Sequence, residues 1–218
     1  MPVRPGQIVI LNGAPRSGKS SIAAAIQSLF DGPWMNLGVD ASVDAVTPER
    51  YRPGIGLRPG GERPDLEELI PRLYAALYES VAAHSRLGLD VVVDVGHHDS
   101  YSRPLHILPD CARRLAGLPV LFVGVRCPVE VIMDRRNRGQ AGREGYYAVG
   151  TKDVVVPAPV QRWQDEVHRP GIYDLEIDTS RFDPAECAAL IRQKLNEHDE
   201  APSAFSRLAA MATQLTQS

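Results

Sequence analysis

Gly13-Ala14-Pro15-Arg16-Ser17-Gly18-Lys19-Ser20 decides how the rest of this chain is read. The spacing is G-x-x-x-x-G-K-[ST]. It stands directly after the apolar run Ile8-Val9-Ile10-Leu11 and before Ser21-Ile22-Ala23-Ala24-Ala25-Ile26, which reads as a helix. A strand, a glycine-rich loop and a helix in that order make the phosphate-binding arrangement of nucleotide-handling folds. Gly13 and Gly18 carry no Cβ, so the backbone between them can bend around an anion with its N–H groups turned inward. Lys19 adds a point charge suited to β- and γ-phosphates, the Ser20 hydroxyl suits Mg²⁺, and the positive end of the following helix dipole faces the same anion. Contacts to ATP are therefore expected from Gly13, Ala14, Pro15, Arg16, Ser17, Gly18, Lys19, Ser20 and Ser21. A glycine-rich turn with a chance lysine is the alternative, and the flanking strand and helix speak against it.

Composition narrows the partner. The chain has 218 residues, 44% hydrophobic and 23% charged, with a formal net charge of −3. These values suit an α/β domain, here placed at residues 1–198, with an appendage at 199–218. They give no global reason to expect nucleic acid or an anionic membrane, so a small molecule is the expected partner. Aromatic residues at 6% weigh further against a polynucleotide. Cys111, Cys127 and Cys187 are widely spaced and form no C-x-x-C pair, which reads as reduced thiols in a cytoplasmic protein. The segment Met1–Gly6 is not an apolar leader, and no run is long enough to span a bilayer.

Outward from the loop, strand and helix patterns alternate. Gln7 to Asn12 reads as a central strand buried on both faces, and the first helix runs from Lys19 to about Phe30. Trp34 to Val39 reads as a second strand ending at Asp40, with a helix turning at once through Val46. Pro48 to Pro64 is interrupted by Gly and Pro throughout and reads as a long loop, either a surface insertion or a cover for the substrate. Leu66, Leu69, Ile70, Leu73, Leu77 and Val81 recur at helical spacing within a helix expected over 65–87, where Pro71 could mark a kink or a later start. Leu89 to Val95 is a β-branched strand, Leu105 to Ala116 a helix, Leu118 to Val125 a strand and Pro128 to Arg138 a helix. Residues 139–147 read as irregular, within a lid expected over about 136–158. Val160 to His168 reads as helical, Tyr173 to Asp178 as the last strand and Asp183 to Asn196 as a closing helix. The tail reads equally as a docked helix or a frayed extension. This is the pattern of a three-layer α/β sandwich, a central five-stranded parallel sheet with helices on both faces and ligands beyond the carboxyl ends of the strands.

Two strand-end carboxylates stand out. Asp40 falls on the same rim as the phosphate loop, where it can accept a hydroxyl proton as that oxygen attacks a γ-phosphate, and it also fits a helix cap. Asp44, one turn on, reads as an exposed helix aspartate or a pocket residue. Asp94 ends the Val91-Val92-Val93 strand, where a carboxylate joins Ser20 in reaching Mg²⁺, or caps the strand end. His97-His98-Asp99 invites a metal reading, but adjacent residues rarely face one ion and no fourth ligand is evident, so substrate contact is expected instead. Arg135, Arg136, Arg138 and Arg143 gather where a helix gives way to a glycine-rich segment. Arg135 and Arg138 are the choices for neutralising the transferring phosphate, with a solvated basic face as the alternative. The loop Asp178-Thr179-Ser180 fits a place against the nucleotide base or a plain strand-end turn.

Several segments together resemble the chloramphenicol phosphotransferase family of P-loop kinases: Ile8 to Ser20, Pro33-Trp34, Gly38-Val39-Asp40 with Asp44-Ala45, Val91 to Asp94, Val123-Gly124-Val125-Arg126-Cys127, and Val167-His168 followed by Tyr173 to Thr179. The resemblance implies a P-loop kinase-like fold and ATP-dependent transfer of phosphate to a primary hydroxyl of a small molecule, with antibiotic inactivation among the outcomes. It puts the catalytic aspartate at Asp40, the loop lysine at Lys19 and the lid arginines around Arg135 to Arg138. The stretches 53–64 and 97–103 and the tail past Asp199 depart from the family pattern, and the first two border the acceptor pocket, so they bear on which hydroxyl compound is used. Two competitors remain at this point, a nucleotide-driven regulatory switch and a nucleoside or metabolite kinase.

Overall fold

The computed structural model describes residues 3–39, 46–52, 63–139, 147–197 and 201–215. Five strands, β1 (Ile8–Asn12), β2 (Trp34–Asn36), β3 (Asp90–Val95), β4 (Val120–Arg126) and β5 (Leu175–Asp178), form one sheet in the order β2-β3-β1-β4-β5. Every neighbouring pair is parallel, with Ile8 opposite both Val91 and Val120. Seven α-helices are present among the described residues: α1 (Lys19–Leu29), α2 (Ile70–Arg86), α3 (Ile107–Arg114), α4 (Val129–Asn137), α5 (Ala158–Glu166), α6 (Pro184–Asn196) and α7 (Ala204–Leu215). The fold is the expected α/β sandwich of P-loop kinases.

Strand alternation sorts the core into two layers. Ile8, Ile10, Val91, Val93 and Phe122 face α2, α3 and α7, whereas Val9, Leu11, Val92, Val123 and Ile177 face α1 and α6. All residues of β1 are buried, as its apolar run requires for a strand covered on both sides. Such an arrangement places every carboxyl end on one rim, and the phosphate loop leaves that rim from the middle strand. Cys111, Cys127 and Cys187 are buried as free thiols.

The element boundaries differ from expectation for local reasons. Strand β2 spans Trp34–Asn36 and stops before Gly38. Helix α2 begins at Ile70, after a 3₁₀ turn at Pro64–Leu66, because Pro71 occupies its first turn, where the missing N–H costs nothing. Helix α6 carries a complete capping box between Asp183 and Glu186, close to the expected start. Residues 40–45 of the helix expected through Val46, and residues 53–62 of the Pro48 to Pro64 loop, lie outside the described residues. The tail is a docked helix: Ala204, Phe205 and Leu208 are buried against Tyr78, Phe122 and Leu108, and Asp174 accepts from Ala204 N at 2.7 Å and Phe122 N at 2.8 Å.

Asn12 pins the rim. Its Nδ2 donates to Val167 O and Tyr173 Oη, each at 2.8 Å, and its Oδ1 accepts from His97 N at 2.8 Å. One amide thus fixes β1 to the segments that follow β3 and α5. Tyr173 Oη, already accepting from Asn12, shares a 2.8 Å hydrogen bond with His168 Nδ1, and His97 Nε2 shares one of 2.7 Å with Tyr78 Oη. Burial disfavours the imidazolium, and His98 beside His97 and Arg126 near His168 add to the effect, so the pKa of His97 falls to about 3 and that of His168 to about 4. Burial likewise pushes the Tyr173 phenol up to about 12.

Two outcomes test this packing. Phe205→Ala should lower the unfolding free energy by about 3 kcal/mol in urea titrations, the cost of emptying a large buried ring site. For the histidines, both folded pKa values lie below the ordinary value near 6.5, so the unfolded chain binds more protons between those limits. Stability should be full above about pH 6.5 and fall as pH drops toward 4, with a shallower slope in His97→Gln, measured as urea unfolding free energy against pH.

Candidate nucleotide site

The loop from Gly13 leads into α1 through Gly18, which caps the helix at φ 101°, a left-handed conformation that glycine adopts without steric penalty. No side chain caps α1 and no acidic residue stands in its first turn, so the helix terminus keeps its positive end for an outside anion. Lys19 Nζ donates to Gly13 O at 2.8 Å and Ala14 O at 2.9 Å, holding the ammonium across the loop. Ser20 Oγ donates to Asp94 Oδ2 at 2.7 Å. The hydroxyl and carboxylate expected to serve Mg²⁺ are therefore adjacent, and an oxygen pair of this kind suits a hard divalent cation.

A cavity of about 450 Å³ opens on the β4–β5 side of the loop, lined by Arg16, Gly18, Lys19, Ser21, Arg135 and Thr179 among others. The loop after β5, expected either against a base or as a plain turn, contributes Thr179 to its wall. Thr179 Oγ1 donates to Ser17 O at 2.6 Å and accepts from Arg135 Nη1 at 3.1 Å. Arg135 also donates from Nη2 to Thr179 O at 2.8 Å and from Nη1 to Arg16 O at 3.2 Å. This side chain belongs to the base of the cavity, braced against the loop backbone. Arg138 stands apart: it pairs with Asp134 at 3.1 Å across an exposed helix face and does not line the cavity. Arg16 turns its guanidinium toward Arg135 O and Gly139 O at the end of α4.

On the other side of the loop, Gly38 lies so close to Asp94 that a Cβ there would stand 1.7 Å from Oδ1. The chain leaving β2 is thus brought against the Ser20–Asp94 pair two residues before Asp40, while Asp40, Asp44 and Arg143 themselves lie outside the described residues. His97 and His98 serve different partners. The His97 ring meets Tyr74 and Tyr78, and the His98 ring stacks on Tyr101 at 4.5 Å and meets Trp163 edge-on at 4.9 Å. Among the described residues no group of three His, Cys, Asp or Glu is placed to hold a metal.

Some residues of this site were beyond sequence reasoning. Arg136 is the buried arginine of its group, at 3% exposure, with its guanidinium 5.4 Å from the ring of Tyr147, which lines the cavity. Asn12 reaches Val167 and Tyr173 across more than 150 residues of sequence, which no local pattern reports, and Tyr173 in turn shares a hydrogen bond with His168. Their sequence signals were the arginine group and the segments Ile8 to Ser20, Val167-His168 and Tyr173 to Thr179 already quoted, none of which gives these contacts.

The chain is similar to several known proteins. The family model described as chloramphenicol phosphotransferase-like protein matches residues 6–196. A Mycobacterium tuberculosis H37Rv protein whose name proposes an O-phosphotransferase is 28% identical over 93% of this chain and 88% of its own length. Two solved structures share the fold, both at a TM-score of 0.58. One is a sugar kinase from Janibacter sp. HTCC2649, 19% identical, covering 88% of this chain and 95% of its own. The other is the Mycobacterium tuberculosis APS kinase in complex with AMPPNP and APS, 16% identical, covering 88% of this chain and 99% of its own. With a phosphate loop set on the middle strand of a P-loop kinase sheet and a family match over most of its length, this chain belongs to the chloramphenicol phosphotransferase-like family.

Proposed function

We propose that the protein is an ATP-dependent O-phosphotransferase that moves the γ-phosphoryl group of ATP to a hydroxyl of a small molecule. The observation that carries this reading is the Ser20–Asp94 pair, set at 2.7 Å beside the uncapped start of α1 and approached by the segment that leads to Asp40. The pair equips the loop for a divalent cation beside the phosphates, and the segment leading to Asp40 brings a candidate base to the same place.

In this reading the nucleotide occupies the cavity beside Thr179 and Arg135, with its phosphates on the loop from Gly13 to Ser20. Lys19 and the first N–H groups of α1 hold the β- and γ-phosphates. Mg²⁺, when bound by Ser20 and Asp94, would supply positive charge to the phosphate oxygens. Asp40 orients the acceptor hydroxyl and takes its proton as the oxygen bonds to the γ-phosphorus and the bond to the bridging oxygen of ADP breaks. In this reading Arg135, which lines the cavity, neutralises charge on the transferring phosphate. Chloramphenicol, other hydroxylated antibiotics and hydroxylated metabolites are the acceptors to try, and antibiotic inactivation is the biological role this chemistry would serve. The cytoplasm is the compartment this reading implies, where ATP is available. No helix among the described residues is long and apolar enough to cross a membrane.

Incubation with Mg²⁺-ATP and a panel of such alcohols, read by mass spectrometry, should yield a product heavier by one phosphate group. ATP binding with no product from the panel would count against the reading. Asp40→Asn should lower turnover by at least about 100-fold with nucleotide binding kept, and near wild-type turnover would remove Asp40 from the role of base. Lys19→Ala should damage both nucleotide affinity and rate, which calorimetric titration and initial rates would separate.

A further inference from the structure

Arg16 is a residue with a Cβ held at φ 72°, inside the loop proposed to cradle the nucleotide. Its side chain does not line up with the loop's own charge. The guanidinium donates to Arg135 O and, at 3.2 Å, to Gly139 O, two carbonyls at the C-terminal end of α4, where a helix dipole favours a cation. Arg135 returns the contact, donating to Arg16 O at 3.2 Å. The guanidinium carbon of Arg16 also lies 5.3 Å from the ring centroid of Tyr147, close enough for cation–π attraction.

These ties set the direction of the loop's peptide groups. Arg16 O is anchored by Arg135 and Ser17 O by Thr179, while Ser17 N donates to Ala14 O at 3.1 Å and closes the turn. A trans peptide is planar with its N–H opposed to its C=O, so anchoring Ser17 O turns the Gly18 N–H to the other side of the plane. We infer that Arg16 is a positioning residue: by bracing the loop on the end of α4, it holds the left-handed turn that presents the following N–H groups to the nucleotide phosphates. The inference rests on the phosphotransferase reading only in taking ATP as the ligand.

Glycine tests it cleanly, because Arg16→Gly permits φ 72° without a Cβ and removes only the side-chain braces. Titration of the full chain with Mg²⁺ and a non-hydrolysable ATP analogue should show Kd raised about tenfold, the loss expected from one charge-assisted hydrogen bond. The thermal midpoint without nucleotide should stay near wild type. The double variant with Arg135→Lys should lose little more than either single variant, as expected if both act through one brace. An Arg16→Gly protein that binds the analogue as tightly as wild type would overturn the inference and leave the functional reading intact. A Kd loss matched by an equal fall in the thermal midpoint would reduce Arg16 to a residue that stabilises the fold, and would overturn it too. Failure of the wild-type protein to bind the analogue would instead overturn the functional reading and this inference with it.

Discussion

The rim of the sheet depends on one buried amide. Asn12 is the last residue of the middle strand, and the next residue begins the phosphate loop. Its two ends are chemically distinct, and the structure uses both: the nitrogen must donate because Val167 presents a carbonyl, and the oxygen must accept because His97 presents an N–H. Aspartate of the same shape would set two oxygens against one another at 2.8 Å and bury a charge, a combination worth several kcal/mol against folding. The amide therefore fixes where β1 ends relative to the chain leaving β3 and the chain leaving α5. The loop inherits that position.

Around this anchor the two sides of the loop differ in kind. Toward β4 and β5 lie a cavity and the side chains of Arg135 and Thr179, which donate to the loop carbonyls of Arg16 and Ser17. Toward β3 and β2 lie the Ser20–Asp94 pair and the close approach of Gly38. Because strand order is β2-β3-β1-β4-β5, a loop on the middle strand has neighbours on both flanks. An edge strand would have offered only one flank.

Much of this was legible in the sequence because it is local. The G-x-x-x-x-G-K-[ST] spacing, the apolar run of β1 and the β-branched run of β3 are short-range patterns, and each became the element expected of it. The end of β2 was set too late because the pattern Trp34 to Val39 says nothing of Asp94, whose carboxylate meets the chain at Gly38. The tail left two readings open, since the apolar residues of α7 gain meaning only from Phe122 and Tyr78, far away in sequence. The arginines show the limit most clearly. Arg135, Arg136 and Arg138 share one charge and one neighbourhood in the sequence, yet Arg135 grips the loop, Arg136 is buried, and Arg138 faces water.

That division follows from helical geometry and from what each guanidinium meets. Residues 135, 136 and 138 of α4 and its end point in different directions around the axis, at 100° per residue. Arg135 donates to the carbonyls of Arg16 and Thr179, Arg136 to that of Ala148, and Arg138 to the carboxylate of Asp134. Arg16 completes the argument from the opposite side. A left-handed residue other than glycine costs on the order of 1 kcal/mol, and a hydrogen bond from a charged donor returns about 1.5–3 kcal/mol. The loop can therefore hold an unfavourable turn as long as α4 supplies the acceptors, and α4 can end where it does as long as the loop supplies the cation. Neither segment has this geometry as its own preference, so the phosphate loop and the helix after β4 are best understood as one mechanical unit.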